Sequence, residues 1–238
     1  MPTDLVETPV TGLQGRTPRE QIEAPKTGGR EIEVIFLVDV STSNEEPAGP
    51  DNPKTKHELV EEVLPLIVGA LEGDDSQAAH EQAGGSDELG GCLTFAFSDR
   101  GRAQEIGDLN SSNIQRKLQS IDWGGQTFAM DAVKLAEADF QEEFGHRPLR
   151  NRPTQEILII TDGKLHDGDA FEKWVAQADE TAVCCVAIIG YGDGHDEAVR
   201  HYTKIAEGNP YVSVVAFTGV TDPMEVAFDL RRLTGTAA

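Results

Sequence analysis

Several short stretches of this chain are apolar almost without a break. They include Glu31–Val38 (EIEVIFLV), Glu156–Ile160 (EILII) and Ala182–Ile189 (AVCCVAII). A strand with one wet face alternates apolar and polar residues, so an unbroken run implies burial on both faces of a sheet. Cys92–Phe97 and Tyr211–Phe217 read as further strands, and Arg102–Ile106 as a short edge strand. Between the strands the apolar period changes to that of a helix. Leu59, Val63, Ile67 and Leu71 recur every fourth position across residues 56–72, with Pro65 expected to kink that helix. Ile114, Leu118 and Ile121 mark a helix over residues 111–121, with Asn110 or Ser111 as its N-cap. Val133, Ala136, Phe140 and Phe144 mark one over residues 128–144. Phe171, Trp174, Val175 and Ala178 mark the next, and Ala198, Tyr202 and Ile205 another. Asp222-Pro223-Met224-Glu225 carries an Asp N-cap, Pro at the first helical position and Glu two further on, which opens a last helix. Strands alternating with helices define an α/β chain. The expected architecture is a Rossmann-like, doubly wound, mostly parallel six-stranded sheet flanked by helices. Ligands in such folds bind at the carboxyl ends of the strands, where strand order reverses.

Residues 1–30 hold Pro2, Pro9, Pro18 and Pro25 and keep no helix or strand period, so a disordered or extended arm is expected there. The domain proper then spans residues 31–238. Within it, residues 73–91 (GDDSQAAHEQAGGSDELGG) are poor in large apolar groups and read as a flexible surface loop. Lys and Arg number 20 against 42 Asp and Glu, a formal net charge of −22. That balance argues against an electrostatic grip on nucleic acid or anionic lipid, favours solubility and permits interest in cations. No run reaches the roughly 18 apolar residues of a membrane helix, so no membrane insertion is expected. The opening MPTDLVET has neither a basic nor an apolar region, so no signal peptide is expected. Cys92, Cys184 and Cys185 are too few and too oddly spaced for a disulfide framework. Cys184 and Cys185 are adjacent within a strand and should point to opposite faces. A reducing, cytoplasmic setting is the expectation.

Polar groups collect where the strands end. Asp39-Val40-Ser41-Thr42-Ser43 follows the first strand, Thr161-Asp162-Gly163 follows the EILII strand, and Gly124-Gly125-Gln126-Thr127 precedes a helix. Together they offer carboxylates and hydroxyls with no imidazole or thiolate. An all-oxygen set suits a hard cation. Mg²⁺ takes ligands at about 2.1 Å in an octahedron and commonly keeps waters. These few side chains would leave a position open to an incoming carboxylate.

The three motifs resemble the metal-ion-dependent adhesion site (MIDAS) of von Willebrand factor type A (vWA) domains. That pattern is DxSxS after the first strand, then Thr in Gly-Gly-x-Thr, then Asp in Thr-Asp-Gly. The resemblance covers roughly residues 31–234. It implies that Ser41, Ser43 and Thr127 contact a metal, and that Asp39 and Asp162 do so directly or through water. The implied cofactor is Mg²⁺, with Mn²⁺ or Ca²⁺ as alternatives. The implied partner is a protein presenting Asp or Glu, and the rim facing it would comprise Asn44, Gly125, Gln126, Gly163 and Lys164. Ile188-Ile189-Gly190-Tyr191-Gly192-Asp193, Ile205-Ala206 before Asn209-Pro210, and the Asp222-Pro223 helix start resemble the copine-like and tellurium-resistance-associated subgroup. That finer resemblance implies a stress-response setting. The chain departs from the common DxSGSM form at Thr42 and Asn44, and Gln126 replaces a frequent third glycine.

Other classes of function fit less well. A phosphoryl-transfer enzyme of the dehalogenase-like class needs a second Asp two residues after the first, where Ser41 stands. A serine nucleophile lacks the G-x-S-x-G elbow, and cysteines inside an apolar strand are inert. A metal-independent scaffold remains the alternative to the cation-dependent, non-enzymatic binding module. Gly190-Tyr191-Gly192-Asp193-Gly194 lacks GxGxxG spacing and reads as a strand-to-helix turn. His166, Asp167 and Asp169 read as loop residues and helix caps, although they follow Asp162 closely. Trp123 is either a packed aromatic or an exposed partner anchor. His57, His80, His146, His195 and His201 show no ligand spacing and read as structural or surface residues.

Overall fold

The apolar runs become the central strands of one sheet. In chain order the elements are β1 (Ile32–Asp39), β2 (Pro47–Gly49), β3 (Asn52–Thr55), α1 (Lys56–His80), β4 (Cys92–Phe97), β5 (Gln104–Leu109), α2 (Ile114–Leu118) and α3 (Ala129–Phe144). There follow β6 (Thr154–Thr161), α4 (Gly168–Val175), β7 (Ala182–Ile189), α5 (Asp193–Gly208), β8 (Val212–Phe217) and α6 (Pro223–Thr234). This computed structural model describes residues 31–50, 52–80, 91–217 and 223–234. The arm expected at residues 1–30 and the Asp222 cap of α6 lie outside the described residues.

The main sheet has six strands in the order β5-β4-β1-β6-β7-β8. All neighbours are parallel except β4 and β5, which form an antiparallel edge. Side chains of successive strand residues go to opposite faces. Phe36 and Val38 of β1 join one core with α1, α2 and α6, while Ile35 and Leu37 join the other with α3, α4 and α5. The adjacent cysteines divide as expected, Cys184 in the second core and Cys185 in the first. The architecture is therefore the doubly wound, mostly parallel α/β sheet that the sequence implied.

Several boundaries differ from expectation. α1 runs through Pro65 and on to His80, across residues 73–80 that read as loop. Gln77, Ala78 and Ala79 are good helix formers, and propagation from an established helix is easy. Residues 81–90 lie outside the described set. The edge strand starts at Gln104 because the preceding residues make a turn, with Arg102 N–H donating to the Asp99 carbonyl at 2.9 Å. α2 begins at Ile114, since the Asn110 side chain accepts the Ser112 and Asn113 N–H groups at 3.1 Å in a local turn. The β2–β3 hairpin, inserted between β1 and α1, had no strand-like signal. It is short and contains Pro47 and Pro53.

One buried ion pair ties α6 to the sheet. Arg231 donates to Glu156 Oε2 at 3.3 Å and to the Leu71 carbonyl at 3.0 Å. Glu156 is wholly buried within β6, and Arg231 gives it a counter-charge there. Arg231→Met should cost at least about 3 kcal/mol in urea unfolding. Adding Glu156→Gln to the same chain should recover much of the loss.

Candidate functional site

Chain direction sets the location. From β1 the sheet grows outward through β4 and β5 on one side, and through β6, β7 and β8 on the other. The order reverses between β1 and β6, and a crevice opens at their carboxyl ends. Asp39 closes β1 and Asp162 follows the last residue of β6, so both carboxylates stand at that point.

Asp39 is buried to 1% exposure and is held on both oxygens. Oδ1 accepts the Ser41 N–H at 3.0 Å and the Asn44 side-chain N–H at 3.2 Å. Oδ2 accepts the Thr161 hydroxyl at 2.8 Å. Burial still dominates, and with help from the nearby Asp162 charge it pushes the Asp39 carboxyl up to about 6. Asn44 does not lie on a partner-facing rim. It is fully buried, and Nδ2 also donates to the Asp39 carbonyl at 2.9 Å. It fills space under the turn where the common pattern has Met, and it braces Asp39. Its Oδ1 is buried with no partner among the described residues.

The hydroxyls link the two carboxylates. Ser41 Oγ lies 3.0 Å from Ser43 Oγ, and the Ser43 side chain helps hold the Asp162 carboxyl down, with Lys56 bonded to both the Ser43 carbonyl and Asp162. Four of the five expected residues thus form one connected group. Thr127 joins through its loop. Gly124 N–H donates to the Val40 carbonyl at 2.7 Å. Thr42 N–H donates to the Gly125 carbonyl at 3.0 Å, and Gly125 N–H donates to the Thr42 hydroxyl at 2.8 Å. Thr42, the departure from the usual glycine, therefore staples the two loops together. Gly125 has φ +92°, and a Cβ there would lie 2.7 Å from Asp99 Cγ, so a side chain has neither the backbone nor the room. Gly163 is bound similarly: φ is +82°, and a Cβ would meet Ala198 Cβ at 2.4 Å.

The loop after Asp162 completes the rim. His166 Nδ1 accepts the Thr127 N–H at 3.2 Å, and His166 N–H donates to the Thr127 carbonyl at 2.8 Å. The Asp167 carboxylate accepts from Ala129 and Met130 N–H at 3.1 and 2.9 Å, capping α3 from a neighbouring segment. Among the remaining rim residues, Gly125, Gln126 and Lys164 are exposed and Gly163 is half-buried. Lys164 Nζ donates to Glu46 at 3.3 Å. Trp123 is half-buried and stacks on His57 with ring centroids 3.7 Å apart, packed beside the first core.

Sequence reasoning missed Lys56. Its ammonium donates to Asp162 Oδ2 at 3.0 Å, to Glu46 Oε2 at 3.0 Å and to the Ser43 carbonyl at 3.2 Å. Its side chain is 5% exposed. Burial by itself would lower the lysine, but Asp162 and Glu46 outweigh it and hold Lys56 above its ordinary value. Burial likewise opposes the charge on Asp162, and Lys56, with the Lys164 N–H and Ser43, more than offsets it, holding that carboxyl below the usual range. A signal was present in Thr55-Lys56-His57-Glu58, a capping box. Thr55 N–H donates to Glu58 Oε2 at 2.8 Å, and Glu58 N–H donates to Thr55 Oγ1 at 3.1 Å. That box starts α1 at Lys56, and the hairpin closes with Lys56 N–H on the Glu46 carbonyl at 3.0 Å. Lys56, Asp162 and Lys164 line a cleft of about 280 Å³ that continues past Gly190 to Tyr191.

The donor set is compatible with a hard cation. Two cis ligands about 2.1 Å from Mg²⁺ in an octahedron lie about 3.0 Å apart, and the Ser41 and Ser43 hydroxyls have that separation. Among the described residues no three of His, Cys, Asp or Glu gather in a metal-holding group. A cation here would depend on hydroxyls and two carboxylates, one already facing an ammonium.

No protein-family model matches this sequence. Among curated proteins, 59 residues are 39% identical to the human collagen alpha-5(VI) chain, covering 25% of this chain and 2% of that one. Solved structures align over most of the domain. The SpRpn10 VWA domain matches with a TM-score of 0.56 at 14% identity, covering 88% of this chain and 100% of that domain. Manganese-loaded TRAP from Plasmodium vivax matches at 0.52 and 15%, covering 86% and 74%. BatB from Bacteroides thetaiotaomicron matches at 0.51 and 17%, covering 87% and 98%. A doubly wound sheet of this order, with flanking helices, defines the class. The particular fold is that of von Willebrand factor type A domains.

The Asp39 carboxyl makes stability depend on pH. A carboxyl raised from 3.8 to about 6 on folding binds its proton more tightly in the native state. Its contribution is greatest at low pH and is lost as pH rises through that interval. The interval is worth about 3 kcal/mol. In EDTA, Asp39→Asn should therefore gain on the parent between pH 4 and pH 7.5, by up to about 3 kcal/mol. Paired urea titrations at the two pH values measure the difference, and a constant difference would refute the assignment.

Proposed function

We propose that this chain is a protein-binding module whose MIDAS-like rim holds a divalent cation, Mg²⁺ in the first instance, with Mn²⁺ or Ca²⁺ as alternatives. Ser41, Ser43 and Thr127 would hold it, with Asp39 and Asp162 supplying the negative charge. The observation that carries this reading is the connected group Asp39–Ser41–Ser43–Asp162 at the strand-order reversal, with its hydroxyls 3.0 Å apart. When bound, the cation supplies an electrophile that accepts a carboxylate from a partner.

The chain's own residues set the rest. Thr161, Asn44 and the Ser41 N–H hold Asp39 in a single orientation. The exposed Gly125 and Gln126 and the cleft toward Tyr191 leave the rim open on one side. A net charge of −22 would repel an acidic partner, and a divalent ion offsets this locally while salt screens the remainder over about 8 Å. The carboxylate beside Ser41, Asp39, already accepts from Ser41, Asn44 and Thr161, and His57 is engaged with Trp123 and Glu45. That arrangement favours binding over catalysis. The buried free cysteines suit a reducing, cytoplasmic setting. Resemblance of the tail to tellurium-resistance-associated domains makes a stress-response assembly the place to look for the partner. One observation favours a metal-independent scaffold instead: Lys56 already gives Asp162 a counter-charge.

Melting temperature separates these readings. A ligand at a hundredfold excess over its Kd stabilises by about 2.7 kcal/mol, roughly 5–10 °C for a domain of this size. Mg²⁺ or Mn²⁺ should raise the melting temperature by that amount, EDTA should reverse it, and Ser41→Ala should abolish it. No shift with any of Mg²⁺, Mn²⁺ or Ca²⁺ leaves the scaffold reading.

A further inference from the structure

Lys56 occupies a costly position. It is the first residue of α1, where the helix dipole disfavours a cation. Its ammonium is buried, which disfavours charge again. Both costs are met by the two carboxylates it touches. One, Asp162, is 1% exposed in its side chain and belongs to the candidate cation group. The other, Glu46, is 54% exposed, lies outside that group and is shared with Lys164. The ammonium also accepts nothing and donates to the carbonyl of Ser43, whose hydroxyl belongs to the same group. One tethered positive charge thus sits against one of the five oxygen donors, Asp162, and against the backbone of a second, Ser43, with an alternative anion on its solvent side.

We propose that Lys56 is a built-in competitor of the divalent cation. Its ammonium neutralises Asp162 when the rim is metal-free, and cation binding requires that contact to be given up while Glu46 keeps the lysine. The inference rests on the cation-binding reading above. It adds that the site is tuned for weak, concentration-dependent occupancy, and that Lys56, outside every motif, sets the threshold. The same contact keeps the rim assembled without a cation, because Asp162 and the Ser43 turn are both held by Lys56.

The test uses the full chain. Mn²⁺ and Mg²⁺ are titrated calorimetrically into the parent, Lys56→Met and Lys56→Arg. Met keeps an unbranched stem and removes the charge, and Arg keeps the charge. Lys56→Met should bind Mn²⁺ at least tenfold more tightly than the parent, and Lys56→Arg should stay within about threefold of it. Binding seen in Lys56→Met alone would also support the proposal. Equal or weaker affinity in Lys56→Met would overturn it and leave the cation site standing. Absence of binding in all three chains would overturn both. A measurement on the parent does not depend on the Met variant folding. The Lys56 ammonium resonance, assigned by its loss in Lys56→Arg, should be protected from exchange without metal and should shift on addition of Mg²⁺. A resonance unmoved at saturating Mg²⁺ would refute the competition.

Discussion

Two carboxylates at the mouth of a parallel sheet are the constraint around which this domain is arranged. Asp39 and Asp162 end adjacent strands at the point where strand order reverses, and both are almost wholly buried. Buried negative charge is unfavourable unless it is answered by donors or cations. The surroundings of each answer it differently. Asp39 is met by neutral donors, a backbone N–H, an amide and a hydroxyl, and burial still pushes its carboxyl up to about 6. Asp162 is met by an ammonium and stays below the ordinary range. Side by side, one carboxyl is reluctant to ionise and the other is fully committed to its charge.

The loops that meet there are held mostly by backbone groups. Gly124 and Gly125 bond the turn after β1, and His166 bonds Thr127 on both sides of its peptide. Gly125 and Gly163 permit approaches that any side chain would block. The rim is therefore a rigid frame built from three separate parts of the chain. Rigidity would serve the proposed cation site, since hydroxyls are weak ligands and gain most from being held in place beforehand.

Much of this could be read from residue patterns. Runs such as EILII and AVCCVAII suit strands covered on both faces, and their alternation with helical periods points to the sheet. The Asp39, Ser41, Ser43 and Asp162 group was legible because motif spacing places each residue at a strand end. Lys56 was not, because it belongs to no motif and reaches the site only through a hairpin of short, proline-containing strands. Asn44 was misplaced for a related reason. An amide inside a polar turn reads as exposed, whereas here it replaces an apolar side chain under the turn and makes its hydrogen bonds inside. Long-range contacts decided both cases, and such contacts leave no period in the chain. The extension of α1 across residues 73–80 shows the opposite failure, in which a polar composition hid a continuing local preference.

The cap on α3 has a mechanical corollary. Helices commonly tie off their first N–H groups with a side chain just ahead of them, but here Phe128 stands at that position and offers none. The tie comes from Asp167 across a gap in sequence, on the strip of chain that also carries Asp162 and His166. Any displacement of that strip tugs on the first turn of a sixteen-residue rod whose other end, Phe144, lies against Arg147 at the far margin of the domain. Whatever moves the mouth of the sheet must therefore carry the head of that helix with it or break its cap.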